Sequence, residues 1–310
     1  MKWKKKGLIC SNETFNLDWY QKNSMVPVPY LIDAKTLRIF LTMCDEDTVG
    51  RIGYVDVNPN DPSEIINYSK TPALDIGENG TFDDNGVVTA CAFGEEGKIY
   101  MFYSGYQLSV KVPYFIFTGL AVSEDKGESF VRLSKAPLLD RNNSEIMNRC
   151  VPEVIKEEGK YRMFYAGDYQ TGWVEKDGKK RPSYYFKYLY SDDLRKWPNE
   201  EGKKCIALAE DGDEYGIAKA SIWEEDNKYK MIYSIRSLSK GYRLGYAESE
   251  DKIDFIRMDD KVGIDVSENG FDSEMICYPS RFKYNDKTYL FYCGNHHGMT
   301  GFGYAELIEK

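Results

Sequence analysis

The chain has 310 residues, of which 42% are hydrophobic and 15% aromatic. This composition supports a sizeable folded core and excludes a disordered or low-complexity protein. The formal net charge of −9 predicts a surface that repels nucleic acid and anionic membranes. We therefore expect no nucleic-acid partner, and a ligand that is neutral or recognised locally.

The N-terminal stretch from Met1 to Cys10 is basic but lacks the apolar core of a signal peptide. No later run approaches the roughly 18 apolar residues of a membrane helix. We expect a cytoplasmic protein without a membrane span, of undetermined oligomeric state. The odd number of cysteines and the lack of any CxxC pair predict reduced residues in the core rather than disulfides. These cysteines are Cys10, Cys44, Cys91, Cys150, Cys205, Cys277 and Cys293.

Five stretches repeat one pattern, in which a polar or charged residue precedes an aromatic and aliphatic strand that ends in a small residue. They are Thr36–Thr42, Lys98–Ser104, Lys160–Ala166, Lys228–Ser234 and Lys287–Cys293. Their equivalent anchor residues are Leu41, Tyr103, Tyr165, Tyr233 and Tyr292, which follow one another at spacings of 62, 62, 68 and 59 residues. Repeats of this length with several strands each are typical of propeller blades.

The second repeat shows the arrangement within one unit. A strand from Val87 to Phe93 leads through the turn Gly94–Gly97 to the repeated strand, which predicts a hairpin. A third strand follows at Thr118–Ser123, and a Ser-x-Asp turn then precedes Phe130, an aromatic residue able to start an outer strand. The sequence therefore predicts an all-β fold, a five-bladed β-propeller with about four antiparallel strands per blade.

The two ends of the chain complement each other. The fifth repeat ends with its third strand at Leu307, whereas residues Trp3 to Cys10 form a strand-like piece outside any repeat. We expect the N-terminal strand to complete the last blade and close the ring, which would protect an exposed strand edge. No interior linker is visible, so residues 1–310 are predicted to form a single domain.

Carboxylates recur just before the first strand of four repeats. Counting back from the anchors aligns Phe82 with Phe271, and one residue later come Asp83, Glu145, Asp213 and Asp272. In a propeller the first strands line the central axis, so these residues should converge at one mouth of the channel. With the neighbouring carboxylates included, the candidate catalytic residues are Asp83, Asp84, Glu274, Asp272, Glu145 and Glu214. The alternative is turn chemistry, in which each carboxylate caps backbone N–H groups.

The second strand of each repeat runs antiparallel and should bring its end back to the same mouth. Those ends and nearby positions supply candidate substrate-binding residues: Arg149, Lys219, Arg236, Tyr278, Asn295, His297, Tyr106 and Asp168. Carboxylates mixed with Tyr, Asn and Arg suit sugars, because hydroxyls need paired donors and acceptors while aromatic faces cover C–H surfaces.

The sequence offers little support for a metal or cofactor. His296 and His297 have no carboxylate or cysteine partners at metal-ligand spacing, so no zinc site is predicted, and the simpler interpretation is that both are polar loop residues. Like charges crowded at one axis repel each other and need a proton, a cation or a substrate. The possibility of a structural cation in the central channel therefore stays open, and no other cofactor is expected.

The pattern resembles the five-bladed propeller glycosidases of glycoside hydrolase families 43, 32 and 130. It is most similar to glycosidase-like proteins of that superfamily that accompany bacterial surface-polysaccharide genes. The resemblance spans essentially the whole chain, and its clearest elements are Gly80–Val87, Gly159–Tyr165, Asp272–Pro279, Gly294-Asn295 and Gly301–Ala305.

The resemblance implies a two-carboxylate glycosidase, but the chain departs from the pattern in the first blade. Families 43 and 32 carry an Asp in the first strand of that blade, where this chain has Asn23-Ser24-Met25-Val26-Pro27. The Trp-Met-Asn-Asp-Pro signature of invertases is also absent. Family 130 depends less on the first blade, and its phosphorylases bind phosphate with basic and Tyr side chains, a role open to Arg149, Lys219 or Arg236.

The leading hypothesis is a glycoside hydrolase-like enzyme that cleaves or transfers a glycosyl unit of a bacterial glycan or activated sugar. It would use Asp83 or Asp84 opposite Glu274 or Asp272, with Glu145 and Glu214 as further candidates. Two alternatives stay open: a non-catalytic carbohydrate-binding propeller, and a glycoside phosphorylase in which phosphate replaces water.

Overall fold

A computed structural model describes residues 1–176 and 178–309, and antiparallel strands dominate it. Helical structure within these residues is limited to α1 (Asn295–Gly298) and two short 3₁₀ turns. The strands are β1 (Lys2–Cys10), β2 (Ser24–Asp33), β3 (Thr36–Cys44), β4 (Gly50–Asn58), β5 (Asp61–Tyr68), β6 (Val87–Glu95), β7 (Lys98–Leu108), β8 (Tyr114–Ser123), β9 (Val131–Arg132), β10 (Asn148–Glu157), β11 (Lys160–Lys176), β12 (Lys179–Ser191), β13 (Lys203–Ile206), β14 (Glu214–Glu225), β15 (Lys228–Ser237), β16 (Gly241–Ser249), β17 (Ile256–Arg257), β18 (Cys277–Tyr284), β19 (Lys287–Cys293) and β20 (Phe302–Glu309). The predicted all-β class is confirmed.

Consecutive strands pair in five antiparallel groups. We number them group 1 (β2–β5), group 2 (β6–β9), group 3 (β10–β13), group 4 (β14–β17) and group 5 (β18–β20). Each repeated aromatic stretch is the second strand of its group, as predicted, and its anchor residue is fully buried. The second strand packs at the centre of its group because aromatic and aliphatic residues cover both of its faces.

The N-terminal strand pairs with the last strand of the chain. β1 runs antiparallel to β20, with Lys5 opposite Ala305, and so lies on the outer edge of group 5. Backbone hydrogen bonds connect the described strands into three sheets. Group 1 forms one sheet, group 5 with β1 forms another, and short parallel pairings join groups 2, 3 and 4 into the third. One such pairing sets Tyr184 of β12 beside Gly216 of β14.

The first strands of the five groups contact one another in the order β2, β6, β10, β14, β18 and back to β2. Each of them carries a β-bulge, seen as a shift in its pairing with the second strand. At four bulges a non-glycine residue takes a positive φ, namely Val26 (50°), Val151 (44°), Lys219 (29°) and Tyr278 (56°). Strained backbone of this kind persists only where neighbouring contacts hold it.

The small residue at the end of a repeated strand holds the bulge of the next group. Backbone N–H groups donate from Thr89 to Thr42 Oγ1 at 2.9 Å and from Val151 to Ser104 Oγ at 2.9 Å. The N–H of Tyr278 likewise donates to Ser234 Oγ at 2.7 Å, and that of Val26 to Cys293 Sγ at 3.2 Å. In the third repeat the equivalent residue is Ala166, whose methyl side chain cannot accept a hydrogen bond. The small residue noted in the sequence thus links neighbouring groups.

Apolar side chains make up most of the interior, and charged groups are buried among them. All seven cysteines are buried and unpaired, which confirms the prediction of reduced core residues. No helix within the described residues is long and apolar enough to cross a membrane.

Candidate functional site

Three of the four carboxylates aligned before the first strands are buried, namely Asp83, Glu145 and Asp272. Asp83 is fully buried and accepts hydrogen bonds from Tyr103 Oη at 2.9 Å and from Thr81 Oγ1 at 2.9 Å. Arg132 Nε lies 2.7 Å from the same carboxylate. Protein groups therefore occupy both carboxylate oxygens of Asp83, and one of these oxygens accepts the hydrogen bond of the anchor Tyr103.

Group 3 repeats this arrangement with Glu145, which is also fully buried. It accepts a hydrogen bond from Tyr165 Oη at 2.8 Å and lies 3.2 Å from Arg149 Nε and 3.2 Å from Lys187 Nζ. Two cations around one carboxylate neutralise it, so Glu145 holds a structural network together.

Groups 4 and 5 vary the same motif. Asp272 accepts from Tyr292 Oη at 3.0 Å, and its cation is Lys5 of β1 at 2.7 Å. In group 4 the anchor Tyr233 donates to Asp259 at 2.5 Å, and Arg257 joins Asp259 to Glu214 through contacts of 2.6 and 2.8 Å.

Four of the six candidate catalytic residues, Asp83, Glu145, Glu214 and Asp272, thus have buried side chains that are paired with basic residues. Each of these basic residues belongs to the same group as its carboxylate, except Lys5 of β1, which pairs with Asp272. Within the described part of the chain, no three His, Cys, Asp or Glu side chains lie close enough to hold a metal ion.

Asp84 and Glu274 differ from that set. Asp84 is half-buried, and its Oδ2 accepts from the N–H of Gly80 at 2.8 Å, while its Oδ1 has no hydrogen-bond partner within residues 1–176 and 178–309. Glu274 is 61% exposed and lies 3.2 Å from His296 Nε2. The carboxylate of Glu274 is therefore exposed to solvent, whereas the unpartnered Oδ1 of Asp84 is itself buried.

Three of the predicted substrate-binding residues make contacts that support loops. Asp168 accepts backbone hydrogen bonds from residues 146, 147 and 148, and Asn295 accepts them from residues 274 and 275. Both therefore cap the segment that leads into a first strand. Arg149 is fully buried and donates to the carbonyls of Asp140 and Glu200.

Lys219 lies at the bulge of β14 and is buried. Its Nζ is 2.6 Å from Glu153 Oε2 and donates to the carbonyl of Ala220 at 2.7 Å. Burial raises the pKa of Glu153, and the ammonium of Lys219 opposes that shift. The charges of Lys219 and Glu153 therefore offset each other at the contact between β10 and β14.

Arg236 lies among aromatic rings at the end of β15. Its guanidinium carbon is 4.4 Å from the ring centre of Tyr215, 4.7 Å from that of Tyr184 and 5.7 Å from that of Tyr242. Nη1 donates to the carbonyl of Pro182 at 2.7 Å, whereas Nε is buried without a hydrogen-bond partner among the described residues. The side chain fits because Gly216 lies opposite, where a Cβ atom would stand 2.9 Å from Arg236 Cδ.

More aromatic residues extend this wall. The ring of Tyr242 lies 5.5 Å from that of Tyr278 and 5.0 Å from that of His297. Tyr106 and Tyr114, with ring centres 4.9 Å apart, pack in the same cluster. We call this set the tyrosine cup: Arg236, His297, Tyr106, Tyr114, Tyr184, Tyr215, Tyr242 and Tyr278.

The electrostatics of the cup follow from burial and from Arg236. Burial, and then the nearby guanidinium, lower the pKa of His297 to about 4, so the imidazole is neutral at pH 7. Burial raises the pKa of Tyr278 and Tyr242, so both phenols keep their protons. The cup presents aromatic faces, neutral donors and acceptors, and one cation, a combination suited to saccharides.

Sequence reasoning placed Tyr106, Arg236, Tyr278 and His297 at the mouth, and the structure brings these four together. It missed Tyr114, Tyr184, Tyr215 and Tyr242. Three of them lie in third strands near the point where the second strand ends, with Tyr242 opposite Arg236 and Tyr184 opposite Asp168. Extending the antiparallel argument by one strand would have found those three.

The fold is shared with known glycoside hydrolases. One similar structure represents the GH130 family of mannoside phosphorylases, which contains glycoside hydrolases that target β-1,2 mannosidic linkages in Candida mannan. It aligns with a TM-score of 0.71 and 16% identity, covering 98% of this chain and 93% of that chain. A thermostable family-43 glycoside hydrolase aligns with a TM-score of 0.66 and 15% identity over 92% of this chain and 88% of its own. The GH32 β-fructofuranosidase BmSUC1 from Bombyx mori aligns with a TM-score of 0.62 and 17% identity over 94% of this chain and 60% of its own.

Sequence relatives match the whole chain. No family model matches it. Two proteins of Mycobacterium tuberculosis, MT1551 of strain CDC 1551 / Oshkosh and Rv1502 of strain H37Rv, are each 30% identical over 307 residues, covering 99% of both chains. Both are named as uncharacterized, so they carry no activity to compare. The chain belongs to the family of MT1551 and Rv1502, and its backbone has the propeller fold of glycoside hydrolase families 43, 32 and 130.

Proposed function

We propose that this protein is a carbohydrate-active enzyme that cleaves or transfers a glycosyl unit, with the tyrosine cup as its sugar site. The observation that carries the proposal is the cup itself, which lies at the start of the first strands in a fold shared with glycoside hydrolases. Aromatic rings cover the C–H faces of sugars, and phenol, imidazole and guanidinium groups bond to their hydroxyls. The shared fold supports the proposed position of the site, and the side chains of the cup support its proposed ability to bind a sugar.

We propose that Asp84 and Glu274 carry the chemistry. Unlike the four buried carboxylates, neither is paired with Lys or Arg among the described contacts, and Glu274 is largely exposed. One carboxylic acid would protonate the leaving oxygen while the other carboxylate activates water or attacks the anomeric carbon. A separation of about 6.5–9.5 Å in the complex would give inversion, and about 5–5.5 Å retention.

We also propose that the five groups act as the five blades of a ring closed by β1. The cyclic contacts of the first strands and the pairing of β1 with β20 support this arrangement. A ring of this kind holds the starts of all first strands at one mouth, where residues from different groups can act on one sugar.

The test is turnover of oligosaccharides and aryl glycosides by the full chain and by D84N and E274Q. We expect both variants to lose at least about 100-fold in kcat, because removing a general acid or base costs about 10²–10⁴-fold. Matched controls are D286N, in the exposed β18–β19 turn, and E250Q, at a side chain that is 80% exposed. Unchanged kcat in both D84N and E274Q would refute their assignment.

A second function is favoured by one observation: four of the six candidate carboxylates are engaged by protein groups. A propeller without catalysis would bind a saccharide in the cup and leave it intact. Saturable binding in calorimetry with no product after days would establish that alternative. Product formation that requires inorganic phosphate would instead identify a phosphorylase.

A further inference from the structure

Arg236 differs from every other buried basic residue that the structure describes. Arg38, Arg149, Arg162, Lys187 and Lys219 are also buried, and each lies within 3.2 Å of a carboxylate. Arg236 is only 7% exposed and has no carboxylate partner among residues 1–176 and 178–309. A cation removed from water is costly unless a counter-charge or hydrogen bonds compensate it.

The groups around Arg236 compensate it only in part. Three tyrosine faces attract the guanidinium through their ring quadrupoles. Of its five N–H donors, one on Nη1 reaches the carbonyl of Pro182, while the buried Nε–H finds no acceptor in the part of the chain that the structure describes. Guanidinium donors form a planar fork that matches the oxygens of phosphate and carboxylate.

Part of the cup faces solvent. Tyr106, Tyr114, Tyr278 and His297 are half-buried, so the cup has a surface that water reaches. The half-buried part carries neutral hydroxyl and imidazole groups, with Tyr278 Oη 3.4 Å from His297 Nδ1. A bound molecule would therefore meet aromatic and neutral polar groups near the entrance and a single cation beneath them.

We propose that Arg236 binds an oxyanion, a phosphate or carboxylate, that is carried by the saccharide in the tyrosine cup. The proposal rests on the proposed function and names its substrate class: an anionic sugar. The counter-charge comes from the substrate because the described protein residues supply none. The aromatic rings next to the guanidinium place the sugar ring beside the anion rather than leaving room for a free ion alone.

The first experiment measures binding to the full wild-type chain by calorimetry at low salt. The probes are glucose, mannose and galactose, their 1-phosphates, glucuronate, galacturonate and inorganic phosphate. We expect at least one charged sugar to bind about tenfold or more tightly than its neutral parent, with an advantage that shrinks as salt rises. Comparing phosphates with uronates identifies which oxyanion the site takes.

The second experiment uses R236Q, with R281Q as the matched control. Arg281 also stacks on an aromatic ring, 4.5 Å from Trp223, but it lies in a groove with Glu225 and Glu248. We expect R236Q to lose the tenfold advantage of the charged sugar and keep its affinity for the neutral parent within about twofold. R281Q should keep both affinities, and R236K, which retains charge but loses the fork, should fall between wild type and R236Q.

Each outcome decides the question. If neutral and charged sugars bind wild type equally well, the oxyanion site is refuted while the sugar site stands. If inorganic phosphate alone binds as tightly as the sugar phosphates, the anion is a free co-substrate and the proposal is refuted in favour of phosphorolysis. If no sugar binds, the proposed function fails with it. Should R236Q not fold, the wild-type comparison and its salt dependence still decide.

Discussion

Glu145 separates a structural role for the buried carboxylates from a catalytic one. In the variant E145Q, Arg149 and Lys187 would lose the charge that lies 3.2 Å from each of them. Removing one partner of a buried ion pair costs about 3–5 kcal/mol of unfolding free energy. Lys187 also contacts the half-exposed Glu201 at 2.9 Å, and the amide oxygen can still accept from Tyr165, so we expect about 3 kcal/mol.

The assay is urea unfolding followed by tryptophan fluorescence, with E250Q as the exposed control. We expect the control to stay within about 0.5 kcal/mol of wild type. An E145Q variant as stable as wild type but at least about 100-fold slower in turnover would refute the structural role and return Glu145 to the catalytic candidates.

Two further predictions concern the ring of bulges and the cup. S104A and S234A should each lose about 1–3 kcal/mol of unfolding free energy, because a backbone N–H loses its acceptor. S63A, at an exposed position of β5, should change the unfolding free energy by less than about 0.5 kcal/mol, and equal effects in all three variants would contradict the inter-group role. His297, with a folded pKa of about 4 against an ordinary value of 6.5, should contribute stability that is complete above about pH 6.5 and is lost as pH falls toward 4, since the unfolded chain binds a proton first. An NMR titration of the two histidines, with H297N to remove the contribution, measures this pKa, and a value near 6.5 would contradict the burial of the ring.

The fold was predictable because its signals are local and repeated. Strand periodicity, tight turns and the anchor spacing predicted the second strand of every group, and the unpaired strand at the N-terminus predicted the partner of β20. The bulges were not predictable, because a positive φ at residues such as Val26 or Val151 depends on a hydroxyl or thiol from another group. Their trace in the sequence was the small residue at each strand end.

The carboxylates show why the position of a residue along a strand does not give its role. Asp83, Glu145 and Asp272 each precede a buried anchor tyrosine by 20 residues and bond to its hydroxyl. A carboxylate and a tyrosine that recur together at a constant spacing mark a contact that every group needs for packing. A sequence shows that spacing, but it does not show whether the side chain points toward the axis or back into the group.

The proposed sugar site uses positions where the repeats differ. Three residues after the anchors, the five repeats carry Cys44, Tyr106, Asp168, Arg236 and Asn295. A position that only maintained the fold would favour one residue type, as the anchor does, whereas this one holds a thiol, a phenol, a carboxylate, a guanidinium and an amide. Asp168 and Asn295 use it to cap loops, and Tyr106 and Arg236 use it to form the tyrosine cup. Arg236 is the only one of the five that carries a buried positive charge, and this makes it the position in the repeat best suited to select a ligand.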